Sequence, residues 1–258
     1  MGAALSTPRW LRSYRTWLDP LVAFALFALL WEKAVDIFSI RRYLLPPLSQ
    51  VLRTFWDSRV QLWNDSLITT WEVVLGYIAA VVGGLFLGLV IHAVPTVRRA
   101  IYPMVVVFQG LPKIALAPLL VVWFGYGASS KVLMAFLFSF FPVVIATLGG
   151  LAGTPVHLIE HFRAIGASTW TTFRRLRFPS ALPSILDGCK TAMPLAVIGA
   201  IAGEFVGAEH GLGHLILAAN AVAKTDLLFA ALIAIGIVSA VLYLFIELAA
   251  RRVWWRGL

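Results

Sequence analysis

Six long apolar stretches, at about 20–39, 67–94, 101–124, 131–151, 184–206 and 227–249, alternate with short polar segments. Each is close to the roughly 20 residues that a helix needs to cross the hydrocarbon core of a bilayer. The pattern predicts an all-α membrane protein with six transmembrane helices. The connections are too short for a separate soluble domain, so residues 1–258 are expected to form one transmembrane domain. The third stretch is interrupted by Pro103, Pro112 and Pro118. Each removes a backbone donor that lipid cannot replace, so this segment must face protein or a water-filled cavity. The second stretch carries Gly76, Gly83, Gly84 and Gly88, and the Gly84/Gly88 pair would let another helix approach closely. Residues 44–63 open on Pro46-Pro47 and continue with mixed amphipathicity, which predicts a short surface helix.

The connection at 154–182, between the fourth and fifth stretches, is patterned differently. Thr154 and Pro155 read as a helix start, with the threonine as N-cap and the proline at the first helical position. Leu158, Phe162 and Ile165 recur at helical spacing and give one apolar face. Gly166 then breaks the helix. Ser168 can cap a second short helix in which Trp170, Phe173 and Leu176 share a face and Arg174, Arg175 and Arg177 lie elsewhere, until Pro179 ends it. The segment is therefore expected to be two short helices joined at a glycine elbow. An interfacial helix with its aromatic face in lipid would explain the amphipathicity. It would not require a fixed register of acid, glycine and proline, whereas docking into a protein groove does.

The chain of 258 residues is 60% hydrophobic and 13% charged, outside the range of ordinary soluble domains. Its formal charge of +9 resides at the edges of apolar stretches rather than in a stripe interleaved with stacking aromatics, which argues against nucleic-acid binding. With the N-terminus inside, twelve Lys and Arg fall in inner segments and six in outer ones (Arg41, Arg42, Arg53, Arg59, Lys131 and Lys224). That bias predicts cytoplasmic N- and C-termini, with the basic first outer loop as its exception. Trp10, Trp17, Trp31, Trp254 and Trp255 cluster near span ends as interfacial anchors. Arg9, Arg12 and Arg15 precede the first stretch as in a signal peptide, but no small-residue cleavage site follows, so an uncleaved first span is expected. The lone Cys189 rules out an internal disulfide.

Polar residues within apolar stretches are candidate functional groups, because a charge in hydrocarbon is costly. Lys113, beside Pro112, could meet an anionic solute or instead pair with Glu204 or backbone carbonyls. Gln109 could line a pore or hydrogen-bond between helices. Glu32, Lys33 and Asp36 suggest an interfacial span end with a Lys33–Asp36 pair. His210 and His214 have i, i+4 spacing beside Glu209, but Gly211 and Gly213 argue for a loop and against a metal site. No Ser/His/Asp set, acid pair or metal motif has usable catalytic spacing. None of the five lysines follows a glycine, so there is no Walker A phosphate loop.

The 154–182 segment resembles the cytoplasmic signature of the permease subunits of binding-protein-dependent ABC importers: Glu-Ala-Ala, three residues, Gly, nine residues, Ile, one residue, Leu-Pro. Glu160, Gly166 and Pro179 stand at the matching places, with Leu176 for the isoleucine and Phe178 for the leucine. His161 and Phe162 replace the two alanines. The run from Leu111 to Leu119, Trp123-Phe124-Gly125-Tyr126-Gly127, Ala202-Gly203-Glu204 and Gly211-Leu212-Gly213 extend the resemblance toward the nitrate, sulfonate and taurine branch, whose relatives carry thiamine-precursor pyrimidines or riboflavin. The resemblance implies a type I importer permease in the bacterial inner membrane, with a coupling helix between spans four and five. It implies a second permease copy, two ATPase subunits that bind the ATP and magnesium, and an external solute-binding protein. This chain itself would hold no cofactor. Glu160, Arg163, Gly166, Ala167, Ser168, Trp170 and Pro179 would form the ATPase interface, and Gln109, Pro112, Lys113 and Glu204 would line or support the solute path. The rival reading is a secondary transporter or channel, which also uses broken helices and buried charges.

Overall fold

The computed structural model describes residues 9–253, and every regular element among them is helical. In chain order these are α1 (Arg9–Ile37), α2 (Leu48–Asp57), α3 (Arg59–Ala93), α4 (Pro95–Gly110), a 3₁₀ turn at Lys113–Leu116 and α5 (Ala117–Phe124). There follow α6 (Ala128–Ala152), α7 (Val156–Ala164), α8 (Thr169–Thr172), a π turn at Phe173–Arg177, α9 (Phe178–Gly207), α10 (Leu212–Ala221) and α11 (Thr225–Val253). Trp254, Trp255 and Arg256 lie outside the described residues, as do the side chains of Trp10, Trp17, Arg9, Arg12 and Arg15.

Among the described residues, four continuous helical stretches are long and apolar enough to cross a membrane: α3, α6, the run Thr169–Gly207, and Thr225–Arg252 of α11. A fifth crossing is possible where α4 and the segment Lys113–Phe124 form one pair bent by 90°. Six had been expected. The sixth, α1, is helical but carries Asp19, Glu32, Lys33 and Asp36 and does not meet the same test. The bend also corrects the expectation for the prolines of the third stretch. Pro103 sits inside an unbroken α4, and Pro118 occupies the first turn of α5, where no backbone donor is needed. Only Pro112 marks the break: Leu111 before it is held extended at φ −68° and ψ 140°, the conformation a following proline favours.

The larger compact unit comprises Val60–Leu217 and Ala231–Leu258. Its frame is the contact of α3 with α6 and of α6 with α9. The buried face of α3 runs Leu62, Asp65, Thr69, Glu72, Gly76, Ala80, Gly84, Gly88 and Ile91, three or four residues apart, so one stripe of one helix is polar at its start and small thereafter. The expected role of the glycines in close packing holds. A Cβ on Gly76 would lie 2.5 Å from the Ala135 Cβ and 2.6 Å from the Val132 carbonyl oxygen, and one on Gly88 2.7 Å from Thr147. Across α6, Gly188 of α9 abuts Ala146, and Gly199 would place a Cβ 2.6 Å from the Met134 carbonyl. Val73, Ala135, Val143, Ile185, Ala192, Ala196 and Ala200 fill the core between these helices, with Ile235, Leu242 and Ile246 of α11 packed against it. Lys190 of α9 and Glu247 of α11 form an ion pair at 2.7 Å.

The smaller unit comprises Met1–Arg59 and Ala218–Ala230. The surface helix expected within 44–63 is α2. Glu32 accepts the Ser49 amide at 3.0 Å and its hydroxyl at 2.7 Å, which satisfies an orphan donor in the first turn of α2. The acid near the end of α1 is thus a capping group, and the Lys33–Asp36 pair is absent from the ion pairs of the described residues. Trp31 donates from Nε1 to the Pro46 carbonyl at 3.1 Å and packs edge-on against Phe229. Asp226, in the first turn of α11, accepts from Thr54 at 2.9 Å.

Candidate functional site: an exposed elbow and a buried carboxylate nest

The elbow is held by its backbone. Pro155, not Thr154, is the N-cap of α7: it is extended at φ −57° and ψ 129°, so the helix begins at Val156. The Thr154 hydroxyl is buried and instead donates to the Leu151 carbonyl at the end of α6, at 3.3 Å. Gly166 ends α7 at φ +74°, where an L side chain is strained although no atom lies within 4 Å of a Cβ there. The Gly166 amide donates to Arg163 at 3.0 Å and the Ala167 amide to Phe162 at 2.9 Å, the paired bonds of a Schellman cap. Ser168 is the N-cap of α8, accepting the Thr171 amide at 3.2 Å.

The second limb differs from expectation. Pro179 does not end it; the limb runs from Thr169 through the π turn into α9 as one stretch to Gly207. Pro179 lies in the first turn of α9, after the Phe178 amide has bonded to the Phe173 carbonyl five residues back. A pyrrolidine ring clashes with the carbonyl four residues earlier in a regular helix, and the widened π turn relieves that clash. The elbow is therefore one short helix joined to the extension of a long one. Glu160, Arg163, Gly166, Ser168 and Trp170 are exposed, Ala167 is half-buried, and no residue of α7 is buried. Val156, Ile165 and Trp170 leave 67%, 65% and 67% of their surfaces open, far more apolar area than a structural loop needs. Trp170 is held by stacking on Phe173 at 5.7 Å.

A second constellation lies at the other end of α9. The Glu204 carboxylate is 1% exposed. It accepts from the Thr69 hydroxyl at 2.6 Å and from the Gly213 amide. The same Thr69 oxygen accepts the Leu212 amide at 2.9 Å, and Asp65 accepts the Gly211 amide at 3.0 Å. Three successive amides thus converge on three side chains, forming a nest for negative charge. Glycine is required on both sides. Gly211 sits at φ +109°, and its Cβ would lie 2.5 Å from Glu204 Oε1; one on Gly213 would lie 2.8 Å from Oε2. Glu72 approaches Glu204 and leaves Oε2 as the one buried side-chain oxygen or nitrogen without a hydrogen-bond partner among the described residues. Lys131, expected as an outer-loop charge, is 3% exposed and donates to the carbonyls of Tyr126 and, at 3.0 Å, Gly127.

Of the four expected pathway residues, Gln109, Pro112 and Lys113 lie at or beside the bend and Glu204 lies near the end of α9. Gln109 and Pro112 are exposed at the bend. Lys113 is half-buried with Nζ 5.0 Å from the Phe141 ring centre and 5.7 Å from that of Phe138, a cation–π arrangement, and makes no ion pair with Glu204. Glu204 is enclosed by the nest. Sequence reasoning missed Asp65, Thr69 and Glu72 as its surroundings, although their positions on the α3 stripe were available from helical spacing, and it missed Lys131, which comes from the first turn of α6. His214 stands in α10, which starts one residue before Gly213, and no cluster of three or more His, Cys, Asp and Glu suited to a metal occurs among the described residues.

A bundle of apolar helices with a broken span and an exposed, rigidly capped elbow describes a transport permease. The chain belongs to the family of binding-protein-dependent transport system inner membrane components, whose pattern matches residues 73–255. It is 40% identical over 205 residues to the formylaminopyrimidine transport permease protein ThiX of Halalkalibacterium halodurans, covering 79% of this chain and 81% of the relative. It is 34% identical to the riboflavin transport system permease protein RibX of Chloroflexus aurantiacus, over 89% of this chain and 87% of the relative. With the taurine transport system permease protein TauC of Escherichia coli it shares 29% identity over 96% of this chain and 93% of the relative. In fold it matches a chain of the MetNI methionine ABC transporter in an inward-facing conformation, with a TM-score of 0.63 at 20% identity, covering 76% of this chain and 96% of that one. The protein is a permease subunit of an ABC importer, with the type I permease fold, and a transport component of the inner membrane rather than a catalytic enzyme.

Proposed function

We propose that this chain forms half of a solute path, as a homodimer, and that its elbow couples the path to a separate ATPase subunit, two copies of which supply ATP hydrolysis. The observation that carries this reading is the elbow itself: a backbone fixed by a Schellman cap and an N-cap leaves Glu160 and Arg163 exposed on α7 and Trp170 exposed on the limb continuous with α9. Loose lipid contact needs no such register, and a protein groove does. In this arrangement α1 is the sixth crossing, both termini are cytoplasmic, and an external binding protein delivers the solute. The cargo is a vitamin-related heterocycle of the formylaminopyrimidine or riboflavin type. Higher identity to those permeases than to the taurine permease supports it over a small sulfonate, taurine or nitrate anion.

The test is reconstitution with the ATPase and binding protein in proteoliposomes, with uptake of a formylaminopyrimidine, riboflavin and taurine measured in parallel. Wild-type uptake should require ATP and be strongest for one of the heterocycles. Gly166→Val should leave the chain inserted and lower uptake at least tenfold, while ATPase turnover ceases to depend on the loaded binding protein. Uptake by the permease alone under an ion gradient, or normal coupled uptake by an assembled Gly166→Val variant, would refute the coupling role. Preferential taurine uptake would refute only the cargo.

A further inference from the structure

A cavity of about 160 Å³ opens at the membrane end from which the elbow projects. Its polar wall is His92 at the end of α3, with Arg98 and Tyr102 from the first two turns of α4. Its apolar wall is α6, through Ile145, Leu148, Gly149 and Ala152. Arg177, at the end of the π turn, donates from Nη1 to His92 Nε2 at 3.1 Å. A guanidinium can only donate, so His92 must accept at Nε2 and carry its proton on Nδ1, which leaves that N–H as a further donor. Arg98 and Arg177 enter none of the ion pairs among the described residues, and the undescribed segments contain no Asp or Glu. The Arg98 guanidinium, the His92 imidazole and the Tyr102 phenol thus border one cavity, with the Arg177 guanidinium bound to its His92 wall, and neither arginine pairs with an acid among the described residues.

We infer that this cavity binds the phosphodiester head group of an anionic phospholipid. The shared chemistry is that of any phosphate, which bidentate arginine contacts recognise well. The lipid source is favoured by the two-sided lining: a free phosphate has no use for the Ile145, Leu148 and Ala152 wall, whereas the glycerol and first methylenes of a lipid would lie against it. The cavity also lies at helix ends, where head groups lie, and basic pockets between spans on the cytoplasmic side hold such groups. The site reaches Arg177 through its hydrogen bond to His92, and Arg177 belongs to the continuous limb between the elbow and α9, so its occupancy would bear on that limb through one contact.

Gly149 provides a clean probe. No atom lies within 4 Å of a Cβ built there, so a larger side chain would enter the cavity without disturbing the helix contacts. The full chain in nanodiscs of phosphatidylglycerol or of phosphatidylcholine is to be compared for wild type, Gly149→Leu and Arg98→Gln, by retained lipid in native mass spectrometry and by thermal unfolding. Wild type should retain phosphatidylglycerol at least about tenfold more strongly than either variant, the loss expected for one charge-assisted contact set, and only wild type should be stabilised by it. In phosphatidylcholine the three proteins should unfold alike. Retention of phosphatidylglycerol by Arg98→Gln at the wild-type level would overturn the site, because Arg98 is exposed and its replacement leaves the fold intact. Equal protection of wild type by millimolar inorganic phosphate in phosphatidylcholine would overturn the lipid source.

Discussion

Replacing Gly211 by alanine tests the nest with a single methyl group. Two costs combine. At φ +109° an L residue is strained by about 1–3 kcal/mol. The added Cβ would also lie 2.5, 2.6 and 2.8 Å from Oε1, Cδ and Oε2 of Glu204, and none of those atoms is the free end of a flexible chain, because Thr69 and the Gly213 amide hold them. Moving the carboxylate weakens two hydrogen bonds to a charged group, each worth about 1.5–3 kcal/mol. With partial relaxation the expected loss is about 3–5 kcal/mol. Cys189 is the only cysteine, and it is buried, so the rate at which a thiol-reactive fluorophore labels it on heating reports unfolding. The labelling midpoint of Gly211→Ala should fall by roughly 6–15 °C. Gly236→Ala is the control: nothing lies within 4 Å of its Cβ, and in the middle of α11 it should be neutral or gain up to about 1 kcal/mol of helix propensity. A further check is Gly211→Ala in a Glu204→Ala background, where the second cost disappears and the coupling should be about 1–3 kcal/mol. If Gly211→Ala labels at the wild-type temperature, the nest is not under the constraint described.

Glu72→Gln should unfold at or above the wild-type temperature in the same assay, since an amide offers Glu204 a donor where Glu72 Oε2 has no partner; a loss beyond about 1 kcal/mol would mean that the charge is needed. Gly76→Val should lower the yield of folded protein sharply, because its Cβ meets Ala135 and the Val132 carbonyl, whereas Gly83→Ala, with its nearest neighbour a Phe140 ring edge at 3.4 Å, should be tolerated. The reverse order on size-exclusion chromatography would refute the α3–α6 contact. Ser168→Ala should remove the cap of α8 at a cost of about 1 kcal/mol, visible as faster amide hydrogen exchange at residues 169–172 with α9 unaffected.

Hydrophobic run length located the long helices, because each must cover its length with apolar residues whatever its neighbours are. Helix starts and stops were less legible where one residue can serve two neighbours. Thr154 reads as a cap for α7, yet α6 ends beside it and its hydroxyl goes back to Leu151. Pro179 reads as a stop because a proline ends most helices, yet a proline is equally at home in a first turn, and a π turn upstream makes the two compatible. Gly166 was readable because a break in apolar periodicity and a glycine coincide there. The partners of Glu204 were not. Thr69 lies 135 residues away in sequence, and only the packing of α3 beside α9 brings its hydroxyl to the carboxylate. Lys131 counted as an outer charge from its place in a loop-like sequence, but it lies one turn into α6 with its amine on the carbonyls of the preceding turn, so it says little about orientation.

The two constellations are joined by one element. From Thr169 the chain runs as a continuous helical stretch to Gly207, so the elbow limb and Glu204 are opposite ends of a single rod of about 50 Å. The rod is not uniform. It carries a π turn near the elbow and Pro183 and Pro194 within α9, the places where a helix bends most easily. Its middle is packed closely, with Gly188 against Ala146 and Gly199 against the Met134 backbone, and its far end is tied by Glu204 to Thr69 and to the Gly211–Gly213 loop. A force applied at an ATPase-docked elbow would therefore meet a clamped far end, and displacement would concentrate at the π turn and at Pro183 rather than translate the whole helix. Loosening the clamp with Thr69→Val should then reduce coupled transport while leaving the elbow free to bind its ATPase. Gly166→Val should also reduce coupled transport, but by disturbing the elbow: the Glu204 contacts should stay intact, and the unfolding temperature should fall by no more than the local backbone strain of about 1–3 kcal/mol explains.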